Sequence, residues 1–317
     1  MTVMPFICLG IGFLTGFKVT SPRFFKISDL TVTVVLIVLM TTIGMNIGTS
    51  RDVMSNLGAI GVNCVVISLS AIVFSVLCVV IIERTLLPLE RVQNELRRDK
   101  IDIRDEVDTG QEEEKKTSPL IFIMPVSIVL GVLAGYYVFP QDRTGVLDKL
   151  LIGSLVFLYI GVGISIGSNR QVFKYLKLLG FKILLLPAAI LVGSLLGGFF
   201  SGLALGVSPQ ISVMSASGMS YYSLTGAYMT NAYGIATGTY GFVVNVMREF
   251  FTVLILPLLI RISKGSPIAG GAAGNMDTML MPITRFVGPE LGLVTLITGT
   301  ILTFVVPFLL PLLHGLL

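Results

Sequence analysis

Tryptophan is absent from this chain, histidine occurs once and cysteine three times. The one histidine, His314, lies almost at the C-terminus, which leaves neither a histidine base nor a multi-histidine metal site. Cys8, Cys64 and Cys78 are odd in number and all fall in apolar segments, so a disulfide framework and a zinc spacing are both excluded. Charge is scarce too: Asp, Glu, Lys and Arg make up 13% of residues, against about 25% in an ordinary soluble domain. No G-x-x-x-x-G-K-S/T run is present, so a P-loop ATPase is excluded. D-D-x-x-D and G-x-G-D are missing as well, which removes prenyltransferase and aspartyl intramembrane protease chemistry. We expect no enzyme here, no cofactor beyond an ion gradient, and no nucleic-acid partner.

What fills the chain is apolar, at 54% of residues. Runs suited to a hydrocarbon core of ~30 Å lie near 3–17, 29–48, 58–82, 119–139, 146–167, 178–203, 234–260 and 292–316. Two more, about 207–230 and 266–288, are interrupted by glycine, serine and proline. The expected fold is an all-α polytopic membrane protein of about eight full spans plus two broken or re-entrant segments. Residues 3–17 lack a basic n-region and a small-residue cleavage site, so they read as a retained span. Arg84 to Ser118 is the soluble piece, with eight basic and ten acidic residues; it reads as a charged helix, then a flexible tail, acting as a solvated connector. Basic residues concentrate beside Lys18, Arg23 and Lys26, in that connector, around Arg170, Lys174, Lys177 and Lys182, and at Arg261 and Lys264. Arg51, Arg143 and Lys149 remain for the other face, so the positive-inside rule puts both termini outside.

The chain repeats itself. A shift of 119 residues lays Gly12, Gly16, Asp29, Gly44 and Gly48 on Gly131, Gly135, Asp148, Gly163 and Gly167 without a gap. Arg51, Val53 and Leu57 fall on Arg170, Val172 and Leu176. Small residues four apart let helix backbones approach closely, and an odd number of spans per unit inverts the second copy, as in secondary transporters. The expected organisation is a three-span unit over 1–83, the connector over 84–118, an inverted three-span unit over 119–203, and a broken-helix core over 204–317.

Polar groups collect in that core. Arg248 and Glu249 are the only charges between Gly234 and Ile260. An ionisable group at mid-bilayer costs at least about 2.5–3.5 kcal/mol and normally marks a substrate or ion path; the plainer alternative is a structural ion pair. Being adjacent, the two point about 100° apart on a helix, so Arg248 needs another partner, for which Asp277 is the candidate. Asn245 lies one turn earlier on the same face. The stretch Ser215 to Gly226 gathers Ser217, Gly218, Tyr222 and Ser223 at membrane depth; unwound backbone is tolerated there only inside protein or beside a cavity. Gly270 to Asp277 forms a second break, where Asn275 and Asp277 either face a ligand or cap a helix.

The order S-G-x-x-Y-Y-S-L-T-G (217–226), N-x-x-R-E (245–249) and G-N-M-D-T-x-x-x-P (274–282) resembles the bacterial lysine exporter family of LysO type. That resemblance implies a fold similar to the cation/proton antiporters and anion transporters, and export of L-lysine and toxic analogues such as thialysine from the cytoplasm. It also implies an inner-membrane location among lipids. Two positions depart from the family: Tyr221 stands where a tryptophan is expected, and Arg51-Asp52 where the first intramembrane acid is expected, so Asp52 would have to act from one residue further on.

Lysine carries two ammonium groups and a carboxylate, and a dry site must answer each. Glu249 and Asp277 suit the ammonium groups, Arg248 suits the carboxylate through a bidentate fork, and Ser217, Ser223, Tyr222 and freed backbone supply the remainder. Coupling is expected by proton antiport, with sodium as the alternative driving ion, through Glu249, Asp52 or Asp277. The runner-up function is ion-coupled transport of another solute, sodium or an organic anion. The glycine seams would permit a homodimer.

Overall fold

The structure is a computed structural model that describes residues 4–19, 21–98, 120–139, 144–168 and 179–317. Every regular element among them is helical. The first part comprises α1 (Met4–Lys18), α2 (Pro22–Thr49), α3 (Arg51–Ser55), α4 (Leu57–Thr85) and α5 (Leu89–Arg98). Next come α6 (Leu120–Tyr137), α7 (Thr144–Ser168) and α8 (Leu185–Leu205), the last entered through a tight turn at Phe181–Leu184. The final part holds α9 (Pro209–Ser217), α10 (Tyr222–Tyr233), α11 (Ile235–Ile262), α12 (Gly265–Gly271), α13 (Leu280–Val287) and α14 (Pro289–Leu316).

Among the described residues six helices, Arg23–Thr49, Leu57–Thr85, Gly145–Ser168, Phe181–Leu205, Ile235–Ile262 and Pro289–Leu316, are long and apolar enough to cross a membrane. Met4–Lys18 and Val126–Tyr137 are shorter apolar helices. The protein is therefore an α-helical polytopic membrane protein. Helix α2 starts seven residues before its apolar run, because Pro22 at its first turn nucleates it within the charged flank.

The helices of residues 1–83 pair with those of 119–203. Helix α1 packs along α7, α2 along α6, and α4 along α8. Glycine makes the first two seams. A methyl group on Gly12 would strike the Ile160 carbonyl and one on Gly163 the Leu9 carbonyl; Gly44 stands likewise to Ile128, and Gly131 to Thr41. Backbone thus lies on backbone, where dispersion replaces the hydrophobic drive that lipid cannot give. In the third seam Ser75 Oγ lies 3.0 Å from Ser194 Oγ, again 119 positions apart. The expected matches at Arg170, Val172 and Leu176 lie outside the described residues, as do Arg143, Lys174 and Lys177.

Both interrupted stretches are broken helices, and each is tied by its two ends to one end of the bundle. Gly265 N donates to Glu83 Oε2 (3.0 Å) and Gln93 Nε2 donates to the Val287 carbonyl (3.2 Å), so α12 and α13 are both held where α4 ends. Gln210 Nε2 donates to the Leu317 carbonyl (2.7 Å), and the Tyr233 ring lies 4.8 Å from that of His314, so α9 and α10 are both held where α14 ends. The two breaks meet inside, where Ala273 N donates to the Met219 carbonyl at 2.9 Å. Gly234 and Gly288, at φ 92° and 98°, turn each second arm into the following long helix, a conformation that favours glycine.

The connector begins as more than a solvated helix. Leu89 and Leu96 of α5 are buried, and Gln93 also donates to Glu290 Oε2 at 3.3 Å. Amphipathic α5 therefore straps the feet of the second broken segment. Residues 99–119 lie outside the description.

Candidate functional site

Arg248 is buried to 1% exposure, yet Asp277 is not its partner. Its Nε donates to the Gly270 carbonyl (3.1 Å), Nη1 to Ser194 Oγ (2.7 Å), and Nη2 to Ser75 Oγ (3.1 Å) and the Ala269 carbonyl (3.0 Å). The expected ion pair fails for a geometric reason. Helix α12 ends at Gly271, its last carbonyls lack helical partners, and a cation is favoured at that negative end. Arg248 fills this role while the two hydroxyls of the α4–α8 seam take the rest of its fork. All four of these bonds run to protein groups, and Arg248 is not in the lining of the cavity described next.

Asn245 is likewise an internal brace. Its Oδ1 accepts from Ser220 N (2.8 Å), and its Nδ2 donates to the carbonyls of Ser215 (2.9 Å) and Gly241 (2.7 Å). It thus holds the first break, where Met219 and Ser220 adopt φ of 48° and 78°, a strained backbone for side-chain-bearing residues. Gly218 is wedged against Asn245 and Thr225. Ser217 Oγ donates back to the Met214 carbonyl at 2.7 Å. In the second break Asn275 Nδ2 donates to the Ile268 carbonyl (2.7 Å), and its Oδ1 is buried without a protein partner.

Beside the meeting breaks lies a cavity of about 240 Å³. Helices α2 and α7 form one wall through Asp29, Leu36, Val162 and Ser165; the breaks and α11 form the other through Ser220 to Ser223, Glu249, Gly274, Met276 and Asp277. Asp29, Glu249 and Asp277 put three acids in this lining, and among the described residues no basic one joins them. Thr278 links two of the carboxyls: its backbone N donates to Asp277 Oδ1 (2.6 Å) and its Oγ1 to Glu249 Oε1 (3.1 Å). Two carboxyls linked this closely, Glu249 half-buried and Asp277 open to the cavity, favour a shared proton or a cationic ligand between them. Glu249 and Tyr222 also border an apolar crevice of about 490 Å³ with Val246, Phe250 and Val253.

Of the residues singled out by sequence, Tyr222, Ser223, Glu249 and Asp277 line the cavity. Ser217, Gly218, Asn245, Arg248 and Asn275 shape the breaks from behind. Asp52 stands apart, exposed in α3 and outside the lining. Sequence reasoning missed Asp29, Ser220 and Thr278. Asp29 was visible only as a repeat match, since its place at the cavity depends on how α2 crosses the broken core.

Fold and site together define a polytopic membrane protein with an acid-lined chamber where two interrupted helices meet. A family model described as the lysine exporter LysO matches residues 6–92 and 126–314. The chain belongs to that family. It is 28% identical to the lysine exporter LysO of Escherichia coli K12 over 156 residues, which is 49% of this chain and 52% of that protein, so the match spans about half of that relative's length. It is also 28% identical to a putative lysine exporter of Haemophilus influenzae over 192 residues, 60% of this chain and 94% of that protein. No solved structure matches.

Proposed function

We propose that this protein exports L-lysine, and toxic analogues such as thialysine, from the cytoplasm across the bacterial inner membrane in exchange for protons. The carrying observation is the cavity at the two breaks, whose lining among the described residues includes Asp29, Glu249 and Asp277 and no basic residue. Such a chamber favours a cation, and both relatives bear lysine-exporter names. Glu249 alternates between a proton and a substrate ammonium, with Asp277 sharing the load through Thr278. In this reading the 119-residue pairing is an inverted repeat, the broken segments are re-entrant, and the ends of α4 and α5 face the cytoplasm. An organic-anion cargo loses its main support, because all the Arg248 bonds run to the protein interior.

The test is efflux of labelled lysine from reconstituted vesicles under imposed pH and sodium gradients. Efflux driven by the pH gradient, and lost in Glu249→Gln while that variant still reaches the membrane, is the expected result. Sodium-driven efflux would replace the coupling ion, and unimpaired export by Glu249→Gln would remove Glu249 from the mechanism.

A further inference from the structure

A cationic amino acid brings a carboxylate into a chamber that already holds acids, and that group needs donors of its own. Arg248, the obvious candidate, is committed elsewhere by all four of its hydrogen bonds. Among the described residues no lysine or arginine lines the cavity. The donors present are of another kind. Helix α10, twelve residues long, begins at Tyr222 after Tyr221, and no side chain caps it. Its first-turn N–H groups have no helical acceptor, and the positive end of the helix favours an anion. Tyr221, Tyr222 and Ser223 of this turn face the cavity.

A second observation points to the same spot. Ser220 lines the cavity at 3% exposure, and its hydroxyl has no partner in the protein. A buried hydroxyl without a partner has lost its water and gained nothing in return, so the position is unfavourable unless a ligand answers it. The bond from Ser220 N to Asn245 Oδ1 holds the main chain that carries this hydroxyl.

We infer that the uncapped first turn of α10, together with the Ser220 hydroxyl, is the subsite for the substrate's α-carboxylate. The chamber is then divided: donors on the α10 side take the carboxylate, and Glu249 with Asp277 takes ammonium. This assignment rests on the reading of the cargo as a cationic amino acid. It makes the main chain of the first break the element that separates an amino acid from a simple diamine.

Competition against labelled lysine efflux in vesicles holding the full chain tests it, with unlabelled lysine and cadaverine (lysine without its carboxylate) as competitors. Lysine should compete about tenfold better than cadaverine. Ser220→Gly, which removes the hydroxyl at a φ that glycine adopts freely, should shrink that preference several-fold and leave competition by cadaverine unchanged. Equal competition by the two amines in the unaltered chain overturns the subsite, as does a Ser220→Gly variant that weakens both alike. Vesicles that move no labelled lysine overturn the exporter reading, and the subsite with it.

Discussion

Arg248 and Glu249 are neighbours in sequence and opposites in use. The turn of about 100° between them sends the guanidinium into a nest of hydroxyls and carbonyls and the carboxylate into the chamber. Their treatment by mutation should separate accordingly. A hydrogen bond to a charged group is worth about 1.5–3 kcal/mol, so Ser75→Ala or Ser194→Ala should lower the thermal unfolding temperature in detergent. The double variant should lower it further, and each folded variant should retain lysine efflux. Glu249→Gln should do the reverse, losing efflux with little change in unfolding temperature. Efflux that collapses in the serine variants without any loss of stability would contradict this division. Both charges were legible in the sequence as exceptional. The direction in which each faces was not, because it depends on Ser194 and Ser75, which lie 54 and 173 positions away.

At the scale of elements, the sequence displayed breaks more clearly than partners. Glycine and serine runs marked both interruptions, and hydropathy marked the long helices, because each signal is local. Which helix meets which is not local. Spacing alone does not tell whether Gly12 serves its own unit or the other, and the structure seats it on Ile160 of α7. Gly44→Leu should therefore drive α2 off α6, since even a methyl group there meets the Ile128 carbonyl. Reduced folded yield in the membrane is the expected result, and a normal yield would contradict the seam. The strap formed by α5 also escaped sequence reading, because its charge masked Leu89 and Leu96. Gln93→Ala removes its bonds to Val287 and Glu290, each worth about 0.5–1.5 kcal/mol. Amide hydrogen exchange should accelerate across 284–291 in that variant, and leave α9 and α10 unchanged.

For the whole molecule, the decisive feature is that the chamber has walls from two sets of helices. Asp29 lies two turns into α2, and Ser165 sits in the last turn of α7. The ring of Phe6, near the start of α1, packs 5.9 Å from that of Phe308, near the finish of α14. Helix α1 therefore ends, and α2 begins, at the end of the bundle that carries α5. Helix α7 runs parallel to α1, with Gly163 against Gly12 and Gly167 against Gly16, so Ser165 lies at that end too. The chamber thus extends from the breaks toward the α5 end, which the exporter reading makes cytoplasmic. In a chain with Cys8, Cys64 and Cys78 changed to serine, Ser165→Cys should react with an impermeant thiol reagent from that face alone. Saturating lysine should slow the reaction several-fold, because a bound cation screens the chamber. Adding Glu249→Gln should remove the protection and preserve the reactivity. Labelling from the opposite face, or labelling that ignores lysine, would mean that cargo does not enter between these walls.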